Sequence, residues 1–316
     1  MMNKDIIYNN IVQIFNDYFF AKYVQMTNDF VYDDSYETRK NFETIIANIF
    51  NAILIGCQIF DDRDSIIKFV DEFSLSNISV DYLKRYLEKN GVTELEACNR
   101  LKHGFGVHFT TVRICNEIIK SKFLMAYGNN QMITKEEEEI INRASIIQKQ
   151  NVSNPLENLN YLWKGWGFGT TSYGSMTNYF WMYHTPEFLS FLLGPIEYRD
   201  KEMSMQFVLE KISTLSPNDK KVVLNTLSNI YDRLVGDEQS TACILIDRDV
   251  FEYEVFYNYQ NKEPEKIEDR PYNHGLNSLY SNDCKIKNDI SVENLRFLKI
   301  PTVKELERMK KEVKHK

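Results

Sequence analysis

The fold is decided by residues 41–60, which read NFETIIANIFNAILIGCQIF. Their apolar side chains recur at steps of three and one, as on one side of an α-helix. The members of this stripe are Phe42, Ile45, Ile46, Ile49, Phe50, Ile53, Leu54, Cys57 and Phe60. A stripe this continuous predicts a helix that is buried in a core.

Further helices are expected around this one, because no proline precedes Pro155 and a proline in a helix interior costs about 3 kcal/mol. The patterns predict helices over 5–25, 65–73, 80–89, 94–103, 110–127 and 134–149. The start of the helix over 110–127 is open, because residues 106–111 also alternate as a strand would. Residues 1–150 are therefore predicted to form an all-helical domain.

Residues 151–316 are predicted to form a mixed region. Helices are expected over 176–193, 200–213 and 217–235, and residues 241–247 and 250–259 have the composition of a small β-hairpin. A last helix, opened by Thr302 and Glu305, is charged on all sides and is expected to project into solvent. The predicted class is mainly α, with an N-terminal helical bundle and a C-terminal α+β region.

Composition and charge narrow the classes of function that the chain can have. The 316 residues include 38 Lys and Arg against 45 Asp and Glu, and the net charge of −7 excludes a generally basic nucleic-acid coat but leaves room for a local basic patch. The five cysteines form no CxxC pair, which is typical of reduced thiols in the cytoplasm. The longest smooth apolar run, Ala52–Cys57, is far shorter than the roughly 20 residues of a membrane span. We expect a cytoplasmic protein with no membrane segment.

The candidate site lies in residues 96–104, EACNRLKHG. Thr93 and Glu96 match a capping box, which opens a helix over 94–103 that Gly104 ends. Helical spacing places one polar face opposite an apolar one. The polar face carries Glu96, Asn99, Arg100 and His103, and the apolar face carries Leu95, Cys98 and Leu101.

The surroundings of this helix are cationic. Residues 84–122 contain eight Lys or Arg, four Glu and no Asp, in a chain that is acidic overall. A phosphate group would find its most favourable electrostatic environment here. Lys102, His108 and Arg113 are accordingly predicted to bind a nucleic-acid substrate.

The run Asn99-Arg-Leu-Lys-His103, followed by a glycine, resembles the Asn-x-x-x-His-Gly part of the motif of the HEPN superfamily. The resemblance covers the proline-free residues 1–150. It implies a helical, metal-independent ribonuclease that works as a homodimer, as in many bacterial toxins and phage-defence proteins. The chain departs from the motif at Cys98, where the family has an arginine, and Arg100 precedes His103 by only two intervening residues.

The resemblance also implies roles for these side chains. His103 would act as general base on the ribose 2′-OH, Arg100 or Lys102 would stabilise the charged phosphorane, and Asn99 would orient the RNA. Such a reaction needs no metal or other cofactor and fails on DNA, which lacks the 2′-OH. Two alternatives stay open: a related helical domain without nuclease activity, and a capped helix whose His and Arg bond only to nearby loops.

A second feature is the segment WKGWGFGTTSYG at 163–174, in which glycine alternates with aromatic residues. It lacks the glycine spacing of a dinucleotide-binding loop. Its aromatic side chains could anchor a loop to the core, or Trp163 and Trp166 could contact a protein partner. The alternative function is therefore a non-enzymatic scaffold that binds a protein through this aromatic-glycine loop.

No metal site is predicted. The sequence has no HxxxH, HExxH or Cys/His cluster of the kind that binds zinc. The acidic residues of Asp61-Asp-Arg-Asp64 and of Asp247-Arg-Asp249 fit solvated turns better than magnesium ligands.

Overall fold

The computed structural model describes residues 3–33, 35–74, 79–124, 134–148, 169–170, 201–235, 241–250, 253–255, 284–286 and 289–314. The fold is mainly helical and has a few antiparallel strands, some of them in the C-terminal region. This confirms the predicted class. The helices are α1 (Lys4–Ile14), α2 (Phe20–Thr27), α3 (Tyr36–Ile59), α4 (Arg63–Phe73), α5 (Val80–Lys89), α6 (Glu94–Lys102), α7 (Val112–Ser121), α8 (Lys135–Gln148), α9 (Lys201–Lys211), α10 (Pro217–Leu234) and α11 (Val303–Lys314). The strands are β1 (Phe105–Thr111), β2 (Phe123–Leu124), β3 (Gly169–Thr170), β4 (Thr241–Asp247), β5 (Tyr253–Val255), β6 (Cys284–Ile286), β7 (Ile290–Ser291) and β8 (Leu295–Ile300).

Helix α3 lies at the centre of the core. Ser35 caps it by accepting a hydrogen bond from the backbone N–H of Thr38, and its stripe residues Ile49, Phe50 and Ile53 are fully buried. Helices α1, α2, α4 and α6 pack around it, and a π-helical turn at Phe15–Phe19 joins α1 to α2. The buried helix predicted over residues 41–60 is confirmed, and it begins earlier, at Tyr36.

In the described part of the chain, one helical segment, Glu37–Ile59 of α3, is long and apolar enough to cross a membrane, with a mean hydropathy of 1.5. Inside the fold, 83% of the apolar window is buried. The core helix of a globular domain passes the same test of length and composition, so the segment is weak evidence for a membrane span.

A three-stranded antiparallel sheet in the order β1-β4-β8 packs on this helical core. Phe105 of β1 lies opposite Asp247 of β4, and Thr241 of β4 lies opposite Ile300 of β8. The expectation that residues 1–150 are all-helical is wrong at β1, and also at β2, which pairs with β7 where the helix predicted over 110–127 would have continued. Phe105, Val107 and Phe109 alternate onto the face that meets the core, so the strand buries them all.

The strand predicted over 241–247 is observed, but its partners differ from those of the predicted hairpin. Strands β1 and β8 occupy both edges of β4. The backbone of β4 therefore has no free edge for the segment that follows it, and β5 pairs antiparallel with β6 instead. The segment predicted as an aromatic-glycine loop contributes β3 to the other edge of β6.

The core crosses the predicted boundary near residue 151. Cys243, Leu245, Leu298, Val303 and Leu306 belong to the same buried cluster as the residues of α3. A separate cluster joins α8, α9 and α10, and the side chain of Arg233 on α10 there forms two 2.9 Å hydrogen bonds to Glu137 on α8.

Helix α11 corrects another expectation, because it docks into the core rather than projecting into solvent. Its buried face includes Glu307 and Lys310. The hydroxyl of Tyr23 donates to Oε1 of Glu307 at 2.9 Å, and Nζ of Lys310 donates to the backbone oxygen of Thr27 at 2.7 Å. Burial and the bond to Glu307 raise the pKa of Tyr23. The charged helix can bury one face here because its polar side chains form hydrogen bonds with polar groups of α2.

Candidate functional site

Helix α6 presents the candidate site, and its local sequence sets both of its ends. The hydroxyl of Thr93 accepts a hydrogen bond from the backbone N–H of Glu96 at 3.2 Å, as the capping prediction requires. At the other end, the backbone N–H of His103 donates to the oxygen of Asn99 at 3.2 Å. His103 is therefore the C-cap of a short helix.

The buried face of α6 consists of Ala97, Cys98 and Leu101. The sequence pattern predicts Leu95 on this face as well, but its side chain is 71% exposed. It lies beyond the edge of the stripe that Ala97, Cys98 and Leu101 define, so it points away from the core.

Gly104 fixes the turn that follows His103. A Cβ atom at this position would lie 2.0 Å from Oε1 of Gln58 on α3. The same oxygen accepts the backbone N–H of Phe105 at 2.8 Å. A side chain here would force the Gln58 amide on α3 to shift, so this close approach favours glycine.

We expect Gly104→Ala to lower the free energy of unfolding by about 1–3 kcal/mol, because the added methyl group must displace the Gln58 amide. Urea denaturation measures the loss. In a Gln58→Ala background the same substitution should cost less, since the clashing atom is gone. An equal cost in both backgrounds would contradict the explanation.

The imidazole of His103 is partly exposed and is hydrogen-bonded to a distant residue. Its side chain is 54% exposed, and its Nδ1 atom lies 2.7 Å from Oδ1 of Asp249. Asp249 belongs to the single 3₁₀ turn Arg248–Val250 that follows β4. The backbone N–H of Arg248 donates to the oxygen of Gly104 at 3.1 Å, which ties this turn to the end of α6.

A lysine on the first helix holds the carboxylate of Asp249. Nζ of Lys4 lies 2.7 Å from Oδ2 of Asp249 and also contacts Asp247. Burial alone would raise the pKa of Asp249, but the hydrogen bonds and charges of Lys4 and His103 outweigh it and lower that pKa. Asp249 is therefore ionised at neutral pH, and a carboxylate can only accept the hydrogen bond from Nδ1–H.

The guanidinium of Arg100 is held by two carboxylates. It donates to both oxygens of Asp61, at 2.8 and 3.0 Å, and to Oε1 of Glu96 at 3.2 Å. Its bond to Asp61 is the largest cause of a raised pKa at Arg100. Asp61 lies outside the cationic segment 84–122, so the fold offsets part of the charge surplus that the sequence predicts.

The remaining predicted substrate ligands lie on three elements. Asn99 and Lys102 are exposed on α6. His108 is half-buried in the middle of β1, opposite Ile244 of β4. Arg113 on α7 donates to the backbone oxygen of Asp232 on α10. The structure thus groups His103 with Asp249 and Lys4, and it directs Arg113 to a different contact.

The remaining predictions concern the partner-binding residues, a helix and metal binding. Trp163 and Trp166 lie outside the described residues, as does the helix predicted over 176–193. Within the described ranges, no cluster of three or more His, Cys, Asp or Glu side chains could hold a metal ion.

Sequence reasoning did not connect Asp249 or Lys4 with His103. The only signal was the pair of carboxylates in Asp247-Arg-Asp249, which fitted a turn. The hydrogen bond from His103 to Asp249 spans 146 positions in the chain, so no local pattern could show it.

Comparison of the chain with protein-family models, curated proteins and solved structures finds no match. The resemblance to the HEPN superfamily therefore rests on the motif around His103.

Proposed function

We propose that the chain is an RNA-cleaving effector in which His103 is the general base of a metal-independent transesterification. The proposal is carried by one observation: Oδ1 of Asp249 lies 2.7 Å from Nδ1 of a half-exposed imidazole at the end of α6. In the neutral ring, Nδ1 then bears the single proton, so Nε2 on the far side of the ring has a lone pair and can accept a proton.

The reaction follows from this proton acceptor. Nε2 takes the proton of a ribose 2′-OH while the 2′ oxygen forms a bond to the adjacent phosphorus atom. The bond from phosphorus to the 5′ oxygen breaks, and that oxygen takes a proton from water. The products are a 2′,3′-cyclic phosphate and a 5′-hydroxyl end, and His103 then returns its proton to solvent.

Cleavage of a labelled single-stranded RNA in EDTA tests this function. We expect the RNA to be cut and a DNA of the same sequence to remain intact, because only RNA carries the nucleophilic hydroxyl. Cutting that stops in EDTA, or that extends to DNA, would contradict the proposal. The resemblance also implies a cytoplasmic homodimer in a toxin or phage-defence setting, and light scattering of the purified chain tests the dimer.

Asp61 would compete with RNA phosphate for Arg100. We expect Asp61→Asn to tighten RNA binding about 2- to 5-fold, since it frees two donors from an exposed ion pair of modest strength. Fluorescence anisotropy measures the affinity at fixed salt. Asp64→Asn is the matched control, because it removes an equal charge from the neighbouring turn of α4. Equal effects of the two substitutions would show that net charge alone is responsible.

The second candidate function is a non-enzymatic scaffold that binds a protein partner. The engagement of Arg100 by Asp61 and Glu96 favours it, since such an arginine can simply tie α6 to the start of α4. A scaffold predicts no RNA turnover and a co-purifying partner that is lost when Trp163 and Trp166 are replaced by alanine.

A further inference from the structure

We propose that Asp249 is a positioning residue for His103 and that Lys4 holds Asp249 in place. The inference rests on the proposed function, in which His103 is the base. It assigns a role to residues that lie far in sequence from the motif of α6. The site would then be assembled from the first residue of α1, the end of α6 and the turn after β4.

The two carboxylate oxygens of Asp249 bind different partners. Oδ1 lies 2.7 Å from Nδ1 of His103, and Oδ2 lies 2.7 Å from Nζ of Lys4. A carboxylate in this place selects the imidazole tautomer that carries its proton on Nδ1. It also stabilises the imidazolium that forms when Nε2 takes the substrate proton.

Lys4 makes the orientation of Asp249 specific. Its ammonium group contacts both Asp247 and Asp249, and the backbone N–H of Asp249 donates to Oδ1 of Asp247 at 2.8 Å. With Oδ2 held by the lysine, Oδ1 is the oxygen that meets the imidazole. The side chain of Lys4 is only 18% exposed, whereas that of Asp249 is 41% exposed, so the lysine is the more shielded partner of this ion pair.

The tautomer of His103 tests the inference without any reaction. In ¹⁵N-labelled protein at a pH where the ring is neutral, the ring-nitrogen shifts of His103 should report the Nδ1–H form. His103→Gln identifies the signal by its loss. In Asp249→Asn we expect a several-fold rise in the Nε2–H form, because Lys4 favours the amide oxygen and the NH2 group is then a donor facing Nδ1. In Lys4→Gln we expect a smaller rise in the same direction, which provides a second variant if the first unfolds.

Asp5→Asn is the matched control for these spectra. It removes one exposed carboxylate from the residue next to Lys4, where Asp5 pairs with Arg296 at 2.8 Å. The tautomer of His103 should remain as in the wild type. If Asp249→Asn and Lys4→Gln also leave it unchanged, Asp249 does not position His103 and the inference is wrong.

Kinetics separates this inference from the proposed function. For the RNase reaction, we expect Asp249→Asn to lower kcat about 10- to 100-fold and to change KM less than twofold, because Asp249 touches the base and not the RNA. A wild type that cuts no RNA but shows the tautomer change refutes the proposed function and leaves the positioning role intact. A wild type that cuts RNA, with unchanged kcat in a folded Asp249→Asn variant, refutes the positioning role alone.

Discussion

His103→Ala is expected to lower the rate of RNA cleavage about 10²- to 10⁴-fold, because it removes the proposed general base. The melting temperature should stay within a few degrees of the wild type. The lost imidazole is half exposed, and its bond to Asp249 is a surface contact of small net stability. Initial rates on a labelled RNA and a thermal melt of the same preparation give the two numbers.

Leu95→Ala is the matched control for this substitution. Leu95 lies on the same short helix and is 71% exposed, so its truncation should leave both the rate and the melting temperature unchanged. A His103→Ala variant that cleaves RNA at the wild-type rate would show that another group takes the proton. A variant that unfolds would show that the imidazole is structural.

Lys310→Met is expected to lower the free energy of unfolding by about 3–5 kcal/mol, the range seen when one member of a buried ion pair is removed. Glu307, which lies 3.5 Å from Nζ of Lys310, would lose its cation inside the core. The backbone oxygen and the hydroxyl of Thr27 would also lose their donor. Urea denaturation followed by circular dichroism measures the change.

Two further variants make this stability prediction specific. In the double variant Glu307→Gln with Lys310→Met, the uncompensated charge is absent and the introduced amide oxygen can still accept from Tyr23, so we expect much of the loss to be recovered. Lys311→Met alters an exposed lysine of α11 and should cost less than about 0.5 kcal/mol. A similar loss at Lys310 and Lys311 would contradict the buried network.

The sequence was sufficient for features that depend on neighbouring residues. Reciprocal hydrogen bonds between Thr134 and Glu137, and between Thr302 and Glu305, begin α8 and α11 where capping boxes predict. The hydroxyl of Ser216 likewise accepts the backbone N–H of Asp219 at the start of α10. These signals span three residues, so they can be recognised in the sequence alone.

Features that depend on distant residues were missed for the same reason. Residues 106–111 suit either a helix or a strand, and pairing with β4 decides in favour of the strand. The sequence predicts α11 in solvent because the helix is charged on all sides. The partner of Lys310 on α2 is Thr27, which lies 283 positions away.

The candidate site shows the same difference between residues that are close in sequence and residues that are distant. His103 and Arg100 could be selected from the sequence because they share one face of a short helix. Asp61, Asp249 and Lys4 could not be connected with them, because each approaches from another element. Two carboxylates and one ammonium add a net charge of −1 beside the site, so counting charges over residues 84–122 alone overestimates its positive charge.

The chemical nature of the new RNA ends tests the central claim most directly. A defined single-stranded RNA is incubated with the wild-type chain in EDTA, and the fragments are analysed by mass spectrometry. The account predicts 2′,3′-cyclic phosphate and 5′-hydroxyl ends, which attack by the 2′ oxygen must produce. Fragments with 3′-hydroxyl and 5′-phosphate ends, or an RNA that remains intact, would contradict it.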